Sequence, residues 1–189
     1  MIITHTTCSV NQEPCVIIQR QLLRSGFQSC HDDLLKYIDI HANRSLKTDQ
    51  TGTGFKIHPE EFDETDYFMH RENPSFLSLG QRAISIIEST LSPVNTSFYI
   101  SSTWGNKLVS GNMMKAHSHD GDAARRYVYV YNVSVCENCA PLVFPTIDKK
   151  IFLKIGQIII FSGWLTHAIG VHKCDHPRIN VGGNIGREI

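Results

Sequence analysis

The chain carries no excess of either charge: eighteen lysines and arginines balance eighteen aspartates and glutamates. Without a basic surplus there is no electrostatic footprint for a phosphate backbone, so nucleic acid is not an expected partner. No apolar run exceeds strand length, Ile158-Ile159-Ile160-Phe161 being typical, so no helix is expected to span a membrane. The start, Met1-Ile2-Ile3-Thr4-His5, lacks the basic residues and apolar stretch of a secretory signal, and a cytoplasmic location is expected. There is no internal repeat and no low-complexity tract. The six cysteines (Cys8, Cys15, Cys30, Cys136, Cys139 and Cys174) follow no disulfide-framework rhythm and read as free thiols. Cys136-Glu137-Asn138-Cys139 is a lone Cys-x-x-Cys. It would join His172-Lys173-Cys174-Asp175-His176 in a structural zinc site only if the two loops met, and the sequence alone favours two loop-tip thiols.

What the chain has is a core. At 189 residues, with 41% apolar and 19% charged residues, it is expected to form one globular domain over 1–189. The part up to residue 95 reads as helix-containing. Asp32 to Ile40 carries apolar residues at helical spacing, and a polar, glycine-containing stretch from Asn43 to Gly54 reads as loop. Pro74 to Leu91 predicts the longest helix, with Asn73 as N-cap, Pro74 as first residue and Ser92-Pro93 as the stop. From Thr96 the period changes to two. Phe98–Trp104, Tyr127–Val133, Ile151–Lys154, Gln157–Phe161, Thr166–His172 and Arg178–Val181 predict short strands. The fold class is therefore α+β, mainly β: a sheet pair or barrel with N-terminal helices packed outside.

Three histidines carry the chemistry. On an extended strand residues two apart share a face, so His117 and His119 converge while Ser118 points away. His167 lies fifty residues on, at a strand start after the turn Ser162-Gly163-Trp164-Leu165. A non-haem iron site needs three ligands on one face and open positions opposite them, usually two histidines and a carboxylate two residues after the first. His119 occupies that carboxylate slot, and Asp120 and Asp122 are close by. The set is either three histidines, the preferred reading, or one in which a bend at Gly121 brings in Asp120 or Asp122. Arg178 falls on the next strand, where its planar fork suits a carboxylate, and Asn180 shares its face. Tyr127, Tyr129 and Tyr131 also share one face. Tyr129 is a candidate hydrogen-bond partner for a co-substrate, against a competing role in the core.

Trp104-Gly105-Asn106, Gly111, Asn112, His117-Ser118-His119, the tyrosine-rich strand, Gly156 to Phe161, His167 and Arg178 to Asn184 resemble the 2-oxoglutarate/Fe(II) oxygenases found in phages and bacteria. The resemblance covers roughly residues 96 to 185, with looser similarity at Gly52 to Phe55. It implies a double-stranded β-helix (a jelly-roll, cupin-like core) that binds Fe(II) and 2-oxoglutarate, takes O2 and releases succinate and CO2, with hydroxylation as the default outcome. Ala123-Ala124-Arg125-Arg126 departs from the family's usual Ser-Gly before the tyrosine strand. Two rivals remain: a cupin-type metalloenzyme that does not use 2-oxoglutarate, and a non-catalytic jelly-roll binding or structural module. Neither the primary substrate nor the oligomeric state, for which a homodimer is compatible, is written in the residues.

Overall fold

The structure is a computed structural model, and it describes residues 9–10, 13–23, 26–42, 52–53, 55–57, 68–91, 96–119 and 123–188. Asp120 and Asp122, the alternative third ligands, lie outside the described residues, as does most of the polar stretch after Asn43.

In chain order the elements are β1 (Ser9–Val10), β2 (Glu13–Pro14), β3 (Ile17–Gln21), α1 (Gln28–Ala42), β4 (Gly52–Thr53), β5 (Phe55–Ile57), α2 (Met69–Glu72), α3 (Pro74–Leu91), β6 (Phe98–Leu108), β7 (Met113–His117), β8 (Tyr127–Ser134), β9 (Leu142–Phe144), β10 (Lys149–Ile151), β11 (Gln157–Ser162), β12 (His167–Ile169) and β13 (Arg178–Arg187). Apart from the small β1–β2 pair, the strands form two antiparallel sheets. The major sheet runs β3-β11-β8-β13-β6-β5 and the minor sheet β10-β9-β12-β7-β4.

Alternation of side chains explains why two cores form. On β8, Tyr129 and Tyr131 face one side and Val128 the other; on β11, Ile158 and Ile160 oppose Ile159 and Phe161. One side of the major sheet meets α1 and α3. There Phe76, Leu79, Ala83, Ile86 and Ile87, recurring at helical spacing, bury against Ile158, Ile160, Val181 and Ile185. The other side faces the minor sheet across Leu108, Val128, Leu142, Phe144, Phe161 and Ile169. Two facing antiparallel sheets with helices packed on one outer face make a double-stranded β-helix.

Helix α3 has the bounds that its punctuation predicts. The amide of Ser75 donates to Asn73 Oδ1 at 2.8 Å, and Pro74 occupies the position whose amide would lack a partner. Four of the predicted strands differ clearly from expectation, and one of them, β6, runs past Trp104 to Leu108. The predicted Ile151–Lys154 strand is displaced to Lys149–Ile151: Asp148 turns through the left-handed region at φ 47°, and pairing with β9 ends at Ile151. Strand β12 is shorter than the predicted Thr166–His172. Strand β13 runs well past Val181 to Arg187, because pairing on both sides, with β6 and β8, overrides the weak strand preference of its glycines. Among the described residues no helix is long and apolar enough to cross a membrane.

Candidate metal centre and anion pocket

Strand register brings the three histidines together. In the antiparallel pair of β7 and β12, His117 and His167 lie directly opposite, so their side chains rise from the same face. The register slips between His167 and Ile169, an irregularity of the kind that re-aims side chains beside sites. Past the end of β7 the chain stays held: the amide of His119 donates to Gly163 O at 2.9 Å, and Gly163 N donates to Arg126 O at 3.0 Å. That double latch needs a glycine, since a Cβ at position 163 would collide with the carbonyl oxygen of Arg125. Ring centroids are 4.3 Å apart for His117 and His167, 5.2 Å for His119 and His167, and 5.4 Å for His117 and His119. One nitrogen from each histidine lies within 4.8 Å of the others, a spacing that can hold a metal ion.

Two of the rings have a defined tautomer. His117 Nδ1 is 2.8 Å from Lys115 O and His167 Nδ1 is 3.1 Å from Leu165 O. A carbonyl only accepts, so each Nδ1 carries the proton and each Nε2 presents a lone pair, as metal-ligating histidines require. Burial holds the His167 pKa well below its usual range. The neighbouring His117 and His119 push in the same direction, against the Leu165 carbonyl. Neutral imidazole is the form that ligates.

The histidines line a cavity of about 330 Å³ between the sheets, within the usual range for small-molecule sites. Val128, Val130, Leu142 and Ile169 make an apolar wall, while Arg178, Asn180, Gly182 and Asn184 project from alternate positions of β13. Arg178 is completely buried. Its Nη1 donates to Ala140 O at 3.4 Å, whereas Nε and Nη2 have no hydrogen-bond partner among the described residues. Burial pulls its pKa down to about 10, opposed by the Cys139 sulfur, so the guanidinium stays charged at neutral pH. A buried cation with two unmatched donors is costly unless an anion completes it. Asn180 is positioned by Asn106, whose Nδ2 donates to Asn180 Oδ1 at 3.0 Å, and Asn180 Nδ2 is likewise buried and unmatched.

Of the residues singled out from the sequence, His117, His119, His167, Arg178 and Asn180 line this cavity together. Tyr129 does not. It sits on the helix-facing side of β8 in the outer core, fully buried, and Val128 and Val130 hold the cavity side instead. Both faces of this central strand are buried, so alternation alone could not say which one met the cavity.

Several other cavity residues escaped the site prediction. Trp104 lies nearly parallel to His119, with centroids 6.1 Å apart and planes at 12°. Ser102 accepts from Asn184 Nδ2 at 2.8 Å. Phe68 joins through a bridge to Thr103, and Arg125 comes from the Ala-Ala-Arg-Arg departure. Strand parity could have found Ser102 and Trp104, which share the β6 face of Asn106. Gly182 is required by Trp104: a Cβ there would stand 2.7 Å from its ring.

The chain matches no protein-family model and no curated protein in sequence. Its fold is that of several solved structures. The viral collagen prolyl hydroxylase of Paramecium Bursaria Chlorella virus-1, solved as its 2OG complex, is similar with a TM-score of 0.62 and 15% identity, over 92% of this chain and 96% of that one. A Pseudomonas putida prolyl-4-hydroxylase has the same TM-score at 12% identity, over 92% and 93%. HygX from Streptomyces hygroscopicus, solved with nickel, 2-oxoglutarate and hygromycin B, has a TM-score of 0.63 at 10% identity, over 91% and 82%.

Proposed function

We propose that this protein is an Fe(II)- and 2-oxoglutarate-dependent oxygenase, with hydroxylation as its default reaction. His117, His119 and His167 hold the metal, and Arg178 with Asn180 receives the distal carboxylate of 2-oxoglutarate. The observation that carries the reading is Arg178: a fully buried guanidinium with Nε and Nη2 unmatched, in the same cavity as three converging imidazoles. Its planar fork fits a carboxylate bidentately, and the histidine set suits iron. The similar folds solved with 2-oxoglutarate or nickel support the same assignment.

The bound iron and co-substrate would supply the oxidation, consuming O2 and releasing succinate and CO2. The chain's own residues supply geometry. Main-chain carbonyls of Lys115 and Leu165 fix two imidazoles in their ligating tautomer. Arg178 and Asn180 fix the far end of the co-substrate, and the apolar wall of Val128, Val130, Leu142 and Ile169 keeps water from the space between. Trp104 stacks beside His119 and narrows the cavity on the β6 side.

A cupin-type metalloenzyme without 2-oxoglutarate would share the three histidines but leaves the two open nitrogens of Arg178 without a purpose. Turnover separates the two. Iron-loaded protein supplied with 2-oxoglutarate and O2 should form succinate, even uncoupled from a primary substrate, and Arg178→Ala should need far more 2-oxoglutarate to do so. Iron-dependent O2 consumption without succinate would favour the cupin reading.

A further inference from the structure

Outside the cavity, the loop after β8 and the loop before β13 converge on three sulfurs. Cys136 Sγ is 3.3 Å from Cys174 Sγ and 3.5 Å from Cys139 Sγ, and all three sulfurs lie within 4.8 Å of one another. The loop-tip reading of Cys136 and Cys139 is thereby corrected: the segment carrying Cys174 folds back onto them. The separations are far longer than the roughly 2.05 Å of a disulfide. They approach the edge of about 3.8 Å of a tetrahedron whose centre lies about 2.3 Å from each sulfur, the zinc–thiolate distance.

We propose that Cys136, Cys139 and Cys174 bind a zinc ion that clips the 136–140 loop to the 172–176 loop. Binding is ligand exchange: three thiols give up their protons and three thiolates take the metal. The surroundings are those of thiolate ligands. The amide of Cys136 donates to Cys139 Sγ at 3.2 Å and the amide of His176 donates to Cys174 Sγ at 3.3 Å, drawing off sulfur charge. A disulfide would use two of the sulfurs and strand the third, whereas one ion uses all three.

His172 supports the clip without joining it. Its Nε2 donates to His176 O at 2.8 Å and its Nδ1 accepts from Ala140 N at 3.5 Å, so both nitrogens are engaged and His172 is not a ligand in this arrangement. The clip has a reach beyond itself. Ala140, next to Cys139, provides the carbonyl that Arg178 Nη1 uses, so the ion would fix the one hydrogen-bond partner that guanidinium has among the described residues.

Zinc per chain is measured after purification and dialysis against a chelator, for wild type, His117→Ala/His167→Ala and Cys136→Ser/Cys174→Ser. One zinc per chain should survive in the first two and be lost in the third, which separates this site from the three-histidine one. The X-ray absorption of zinc in wild-type protein does not depend on any variant folding. It should show sulfur scatterers at about 2.3 Å, which the histidine set cannot supply. A wild type free of zinc, a first shell of nitrogen and oxygen alone, or a disulfide between any two of these cysteines in freshly purified protein would overturn the proposal.

Discussion

His117 and His167 face each other across the β7–β12 pair, their ring centroids 4.3 Å apart, so the most sequence-distant members of the histidine set are joined by strand register. Sheet pairing therefore brings two of the three candidate ligands together, while His119, past the end of β7, is held by its amide bond to Gly163 O. Replacing His167 with alanine should lower metal affinity by more than the roughly 10–100-fold that losing a supporting group costs. Calorimetric titration with Mn(II) or Fe(II) under nitrogen reads this out directly. Affinity within threefold of wild type would show that His167 is not a ligand.

Arg178 is expected to trade stability for function. Arg178→Met removes a buried and incompletely paired cation, and should raise the stability of the ligand-free protein by about 1–4 kcal/mol while severely weakening 2-oxoglutarate binding. Arg178→Lys keeps a charge but loses the fork, and should bind the co-substrate at least about tenfold more weakly. Urea melts and co-substrate titrations check the pair. A destabilised Arg178→Met variant would mean that the guanidinium is satisfied by the protein alone.

Gly182→Ala should destabilise the protein by about 1–3 kcal/mol through overpacking against Trp104 and shift tryptophan emission as the ring moves. Unchanged emission and melting would indicate that the ring has room to move.

The helix layer carries a pH dependence. His31 lies on the buried side of α1, with Nδ1 2.9 Å from the hydroxyl of Tyr131. Burial holds its pKa below the ordinary 6.5, with the Asp32 charge opposing. The unfolded chain takes up a proton near pH 6.5 while the folded one does not, so stability is complete above that pH and falls as pH drops through it. Melting temperatures from neutral to mildly acidic pH should fall, and His31→Gln should flatten the slope. An equal slope in the variant would remove His31 from the account. His70, whose pKa burial also lowers, acts in the same direction.

Legibility followed the range of the interactions. Helix α3 was readable because its start is local chemistry, Asn73 capping and Pro74 beginning it, and because Ser92-Pro93 in the sequence marks a stop just after Leu91. His117 and His119 were readable because period two applies wherever the chain is extended, even past the end of β7. Arg178 and Asn180 followed from the same rule on β13. Tyr129 was misplaced because a central strand buried on both faces hides which side meets the cavity. The meeting of Cys136 with Cys174, thirty-eight residues apart, depends on loops whose path no periodicity encodes.

The central claim, one cavity holding iron and 2-oxoglutarate together, is tested most directly by anaerobic titration of metal-stripped protein with Fe(II) and then 2-oxoglutarate, followed by visible absorption. The account predicts a weak metal-to-ligand charge-transfer band in wild type, no band in His167→Ala, and a band in Arg178→Ala only at far higher 2-oxoglutarate. Iron binding with no band at any 2-oxoglutarate concentration would contradict it.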